Sequence, residues 1–214
     1  MGIVFVDGMP LSPFVRQELA GISVNERGER VQFHSDGGLR VLVSEDGPHE
    51  AGRFLDDAPE GGILIVSARS QLAPGSALRA LLASAQLPSR RIALFCTHAW
   101  SPDDAALVSS LGVQCYSMVE ISREGLTDMT DAVMAFVRQW PAFLLVIDLD
   151  VLDPAFAPGL AGPVPGGLSS RELLYIAQRL RLIKTLAGVE VIARVDVADT
   201  ATAGILARLL AELR

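Results

Sequence analysis

Residues 146–167 read VIDLDVLDPAFAPGLAGPVPGG and place Asp148, Asp150 and Asp153 within six positions, directly after the apolar run 142–147. Two hard carboxylates side by side at a strand's end suit a divalent cation such as Mn²⁺ or Mg²⁺. Without a cation beside them, mutual repulsion and desolvation push one of the pair to hold a proton. The plainer alternative is that all three cap the next turn in solvent. Asp153-Pro154 is a turn-starting pair in either case. If the strand runs over 143–150, Asp148 and Asp150 share one face and Leu149 takes the other.

Such a cluster must be delivered by regular elements, and the chain supplies them. Short β-rich runs recur at Ile3–Val6, Arg40–Val43, Gly62–Val66, Ile92–Cys96, Val113–Tyr116, Phe143–Ile147 and Val189–Val195. Several are apolar throughout, as strands buried on both faces are. Helix-period segments lie between most of them. Gly75–Gln86 carries Leu78, Leu81 and Leu82 on one face. Asp103–Ser110 follows Ser101-Pro102, an N-cap and first-turn pair. Asp128–Arg138 follows Thr127 as a cap, and Arg171–Leu182 follows Ser169 with Glu172 three residues on, a capping box. A last helix over 200–213 repeats Ile205, Leu209 and Leu213 at four-residue steps. Strands alternating with helices predict an α/β fold, a three-layer αβα sandwich on a mostly parallel sheet, with ligands at the carboxyl ends of the strands. The least regular stretch is 10–38, where SVNERGER and HSDGG read as turns and His34 has no supporting context. No linker or repeat divides the chain, so 1–214 reads as one domain.

The totals narrow the function. Half of the 214 residues are hydrophobic and the net charge is −7. A chain of this size buries an adequate core unaided, and an acidic chain without basic clusters is not expected to bind nucleic acid. No apolar run approaches a membrane span, and the start, MGIVFVDG, lacks both a signal-peptide n-region and the myristoylation pattern. Cys96 and Cys115 lie in or beside strand-like runs and read as buried free thiols of a cytoplasmic protein. Neither a GxGxxG nor a Walker loop is present, so nucleotide binding has no support.

The long stretch VIDLDVLDPAFAPGLAGPVPGGLSSREL resembles the signature of the ureohydrolases, the arginase, agmatinase and formiminoglutamase family. That signature reads S-x-D-x-D-x-x-D-P-x-x-x-P-G followed by T-P-x-x-G-G-L. The matching residues are Asp148, Asp150, Asp153, Pro154, Pro158, Gly159, Pro163, Gly166, Gly167 and Leu168, with Val146 in place of the serine. Upstream, RRIALFCTHAWSPDDAALVSSLGVQCYSMVEISREGL is similar to the family's strand, helix, strand series, with Cys96-Thr97-His98 where Gly-Ile-Arg is usual. Downstream, Glu190 to Asp196 resembles E-V-x-P-x-x-D, with Ala193 for the proline. The resemblance covers roughly 40–214.

It implies an arginase-like fold and two Mn²⁺ ions bridging a water whose hydroxide attacks a guanidinium carbon. It also implies Asp148 and Asp150 as metal ligands, His49 as a third, and Glu190 facing a guanidino or amino substrate. Taken alone, Glu190 reads instead as a buried carboxylate with a structural partner. The chain departs from the pattern elsewhere. His49 and Gly47 are all that matches the family's G-G-D-H-S element. Where the family reads D-A-H-x-D, this chain has Ser67, Ala68, Arg69, Ser70 and Gln71. Arg69 is a permanent cation with no acceptor, so one reading makes it a partial replacement for the missing metal charge, and the other a surface arginine. No histidine lies between His49 and His98, and His98 reads as a pocket entrant or as a structural histidine.

Two functions therefore rest on particular residues at this point, while a third, a plain small-ligand module unrelated to C–N hydrolysis, fits the fold but no particular residue. One is a ureohydrolase-like protein with a degraded binuclear site, acting as a binding or regulatory subunit. The other is a divergent C–N hydrolase using one metal. By resemblance, a homo- or hetero-oligomer is expected in either case.

Overall fold

The computed structural model describes residues 2–5, 23–25, 39–44, 47–196 and 198–213. Among these residues eight strands form one sheet: β1 (Gly2–Phe5), β2 (Ser23–Asn25), β3 (Arg40–Ser44), β4 (Gly62–Val66), β5 (Ile92–Phe95), β6 (Gln114–Tyr116), β7 (Phe143–Asp148) and β8 (Leu186–Ile192). Their order across the sheet is β2-β1-β3-β8-β7-β4-β5-β6, and every pair is parallel. The helices are α1 (Ala51–Asp57), α2 (Ala77–Ala83), α3 (Pro102–Leu111), α4 (Met118–Glu124), α5 (Leu126–Val137), α6 (Ser170–Leu180) and α7 (Thr200–Glu212). No helix among the described residues is long and apolar enough to cross a membrane.

Strands buried on both faces need helices on both, and alternate residues sort the core into two clusters. Leu42, Ile63, Ile65, Leu94, Leu144 and Val146 face Phe54 of α1, Leu78 of α2 and Val108 of α3. Val43, Leu64, Val66, Phe95, Leu145 and Val191 face Ile121 of α4, Met134 of α5, Ile176 of α6 and Leu209 of α7. The result is the expected three-layer αβα sandwich.

Ser101 caps α3 through the Asp104 amide, and Ser169 and Glu172 form the expected capping box on α6. Other expectations are corrected. SVN within SVNERGER is strand β2 rather than part of a turn, because its backbone extends the sheet beside β1. The helix expected over Asp128–Arg138 begins at Leu126, and its N-cap is Gly125, not Thr127. The last strand spans Leu186–Ile192 rather than Val189–Val195; Val195 leaves the sheet to make an antiparallel bridge with Leu160. α1 and α4 were not expected. Most consequential for the site, β7 stops at Asp148, and Leu149–Val151 forms a 3₁₀ turn.

Candidate functional site

The carboxyl ends of β3, β8, β7 and β4 lie side by side, the position at which open parallel sheets present ligand sites. Asp148 ends β7, and its Oδ1 accepts the Asp150 amide at 3.0 Å. That self-capping bond winds the chain into the 3₁₀ turn. Asp148 and Asp150 are therefore brought together by a turn and not by the alternation of a continuing strand.

Both carboxylates are buried and fully engaged. Asp150 Oδ1 accepts the Ser67 hydroxyl at 3.0 Å and the Ala68 amide at 2.9 Å, and its Oδ2 accepts Arg69 Nη1 at 2.8 Å. Asp148 Oδ2 accepts Gln71 Nε2 at 2.9 Å and Arg194 Nη2 at 2.7 Å. Ser67 Oγ also accepts the Arg69 amide and Gln71 Nε2. Gln71 reaches back through a left-handed backbone, φ 58°, which for a residue with a side chain costs about 1 kcal/mol. Burial and then the Asp150 carboxylate push Asp148 up to about 7, opposed by Arg194, the Asp150 amide and Gln71.

The two arginines close the site from opposite sides in sequence. Arg69 follows β4 and also donates through Nη2 to the Gly162 carbonyl at 3.0 Å. Arg194 follows β8. Residue-by-residue reasoning missed Arg194, although Ile192 is level with Asp148 in the β7–β8 register and Arg194 stands two residues beyond it. The signal lay in strand pairing rather than in local sequence.

The other candidates sit apart from this cluster or serve it indirectly. Asp153 caps its own loop: Oδ1 accepts the Ala155 amide and Oδ2 the Gly166 amide, and these amides hold its carboxyl below the usual range. His49 has an exposed side chain, and its backbone amide donates to Glu190 Oε1 at 3.0 Å. Glu190 is fully buried; the Ser44 hydroxyl donates to Oε1 at 3.2 Å and the Glu50 amide to Oε2 at 3.2 Å. His98 Nδ1 lies 3.0 Å from the Cys96 carbonyl, and its Nε2 is buried without a hydrogen-bond partner among the described residues.

Burial raises Glu190 from 4.5 to about 7, with the Glu50 carboxylate adding and the two amides opposing. The folded protein therefore holds an extra proton across that window, and the associated stability is lost as pH rises through it. Glu190→Gln has no proton to lose. The stability of the wild type relative to this variant is expected to fall by about 3 kcal/mol between pH 4.5 and pH 8. Urea unfolding of both proteins at each pH measures this, and parallel pH curves would contradict it.

The donor set does not fit a pair of divalent cations. Among the described residues no three His, Cys, Asp or Glu side chains group as a metal site. Ser67, Arg69 and Gln71 hold the oxygens that a metal would need, and a dication there would face two fixed guanidinium charges.

The model of the arginase family matches residues 65–214. Arginase-1 of Oryctolagus cuniculus is 32% identical over 92 residues, which is 42% of this chain and 29% of that protein. The matched stretch thus spans under a third of the length of this curated relative. Among solved structures, arginase from Bacillus cereus superposes with a TM-score of 0.81 at 20% identity, covering 99% of this chain and 96% of the other. Trypanosoma cruzi formiminoglutamase with Mn²⁺ gives 0.83 at 14% identity, covering 99% and 90%. At these identities the superpositions speak for the fold.

Proposed function

The chain belongs to the arginase family, and from that premise we propose that it is a non-hydrolytic member, a binding or regulatory subunit that works in a homo- or hetero-oligomer. The observation that carries this reading is the pair of contacts from Arg69 to Asp150 and from Arg194 to Asp148, at 2.8 Å and 2.7 Å. Hydrolysis by metal-bound hydroxide requires a polarising cation with open coordination positions. Here the aspartates that would hold it are neutralised from within the chain. Arg69 is then the replacement charge for one ion, and Arg194 a second.

In this reading Glu190 is a clamp for the 47–50 turn rather than a substrate contact. Its oxygens take the Ser44 hydroxyl and the amides of His49 and Glu50. His49 contributes a backbone amide there and no metal ligand. Free Cys96 and Cys115 suit a cytoplasmic setting.

With arginine, agmatine or guanidinobutyrate as substrate and Mn²⁺ added, purified protein is expected to release no urea above a protein-free control. Calorimetric titration of Mn²⁺ is expected to give heats equal to dilution. Saturable Mn²⁺ binding lost in Asp148→Asn, together with urea release, would establish the single-metal hydrolase instead.

A further inference from the structure

We infer that the cleft at the strand ends is a site for a small oxyanion, a carboxylate or a phosphate, anchored by Arg194. The inference rests on the reading that Asp148 and Asp150 hold arginines rather than metal.

The sign of the charge presented to solvent carries the argument. The Asp150 and Asp148 side chains are 3% and 2% exposed, whereas those of Arg69 and Arg194 are 43% and 35% exposed. A ligand arriving at the cleft therefore meets guanidinium groups, with the carboxylates behind them. A guanidino or ammonium compound would be repelled at the point where an anion is attracted.

The two arginines are not equally available. Arg69 is pinned at both ends of its fork, by Asp150 and by the Gly162 carbonyl. Among the described residues Arg194 is held through Nη2 alone, and it lines a cavity of about 520 Å³. That volume suits a small molecule.

The cavity walls are the loop 158–161 and residues 195–196. They are fixed to each other by the Ala161 amide on the Arg194 carbonyl at 2.9 Å and the Asp196 amide on the Gly159 carbonyl at 2.8 Å. The wall is therefore already formed. Pro158, Leu160 and Val195 give it apolar surface. A partly apolar wall beside a planar guanidinium favours a bidentate pair with a carboxylate or phosphate. Asp196 is the acidic member of the lining; it is exposed, and its Oδ1 accepts the Ala198 amide at 2.9 Å.

The test is calorimetric titration of the full chain in phosphate-free buffer, with inorganic phosphate, acetate, guanidinium chloride and MnCl₂ as separate arms. Phosphate or acetate is expected to bind saturably, and whichever binds tighter assigns the ligand as phosphate or carboxylate. Arg194→Gln is expected to weaken that anion by about tenfold or more. Asp196→Asn keeps the acceptor for Ala198 and leaves Asp148 untouched. It is expected to tighten anion binding by about threefold, with the gain shrinking as salt is added. Because Arg194→Gln leaves buried Asp148 without its cation and can fail to fold, Asp196→Asn decides in that event. No anion binding by the wild type overturns the inference. So does preferential binding of guanidinium, or an affinity unchanged in Asp196→Asn. Saturable Mn²⁺ binding overturns the underlying reading instead, so the two failures are distinguishable.

Discussion

Gly167→Ala is expected to destabilise the protein by about 3 kcal/mol or more, which for a chain of this length lowers the melting temperature by roughly 6–12 °C. A Cβ at Gly167 would lie 2.3 Å from the Val151 carbonyl oxygen, 2.8 Å from the Asp153 amide nitrogen and 2.9 Å from the Leu152 carbonyl carbon. All three are backbone atoms, so no flexible side chain can swing aside. The same backbone is bonded across the contact: Leu168 donates to Val151 at 2.8 Å, and Asp153 donates to Leu168 at 2.9 Å. An added methyl must open this bridge, which ties the turn behind Asp150 to the cap of α6. Gly166→Ala is the matched control. Gly166 has φ +87° but nothing within 4 Å of its added Cβ. It should show only the conformational cost, about 1–2 kcal/mol. Thermal unfolding of the two variants side by side separates close approach from backbone freedom; equal losses would contradict the steric argument.

Arg194→Ala is expected to cost about 3 kcal/mol, the lower end for a broken buried pair because the arginine itself is partly exposed. Asp148 would keep Gln71 and the Asp150 amide but lose its cation. Asp148→Asn combined with Arg194→Ala should be more stable than the sum of the single changes predicts, by about 1–2 kcal/mol. An amide oxygen can still accept the Asp150 amide, and no charge is left stranded. Urea unfolding of the wild type, both single variants and the double variant checks this. Additive losses would show that the pair is not coupled.

What the sequence revealed followed the range of each interaction. β4 was legible to the residue, because a run of apolar β-formers between turn residues is a local signal. The α6 capping box was legible for the same reason, since Ser169 and Glu172 carry it within one turn. The matching box on α4, from Ser117 and Glu120, was equally present but followed an edge strand of only three residues, and it went unread. α1 had no such mark, for its N-cap Glu50 makes no side-chain capping bond. Asp148 and Asp150 stood out by their spacing and were assigned through the family resemblance, yet the reason they meet was not read. Strand alternation was expected, and a side chain capping its own turn is what brings them together. Arg69 was reachable because it occupies a position where the family pattern has another residue. Arg194 was not, since its partner lies 46 residues away and only the pairing of β7 with β8, which sets Ile192 level with Asp148, carries the chain two residues on to Arg194 beside it.

The strand order has a kinetic consequence. β3 and β4 are neighbours in the chain but not in the sheet, where β8 and β7 stand between them. Until β7 and β8 are made, native pairing is confined to β1–β3 and to β4–β6, which leaves the inner edges of β3 and β4 open. Both edges wait for strands from the last third of the chain. Such pairings across long sequence separations close slowly and leave partly folded chains open to aggregation. Asp148, Asp150 and Arg194 all belong to that late insert. The paired charges are thus the latch of the assembly: they engage when the middle of the sheet is filled, and a chain that stalls before then carries the inner edges of β3 and β4 unpaired into solution.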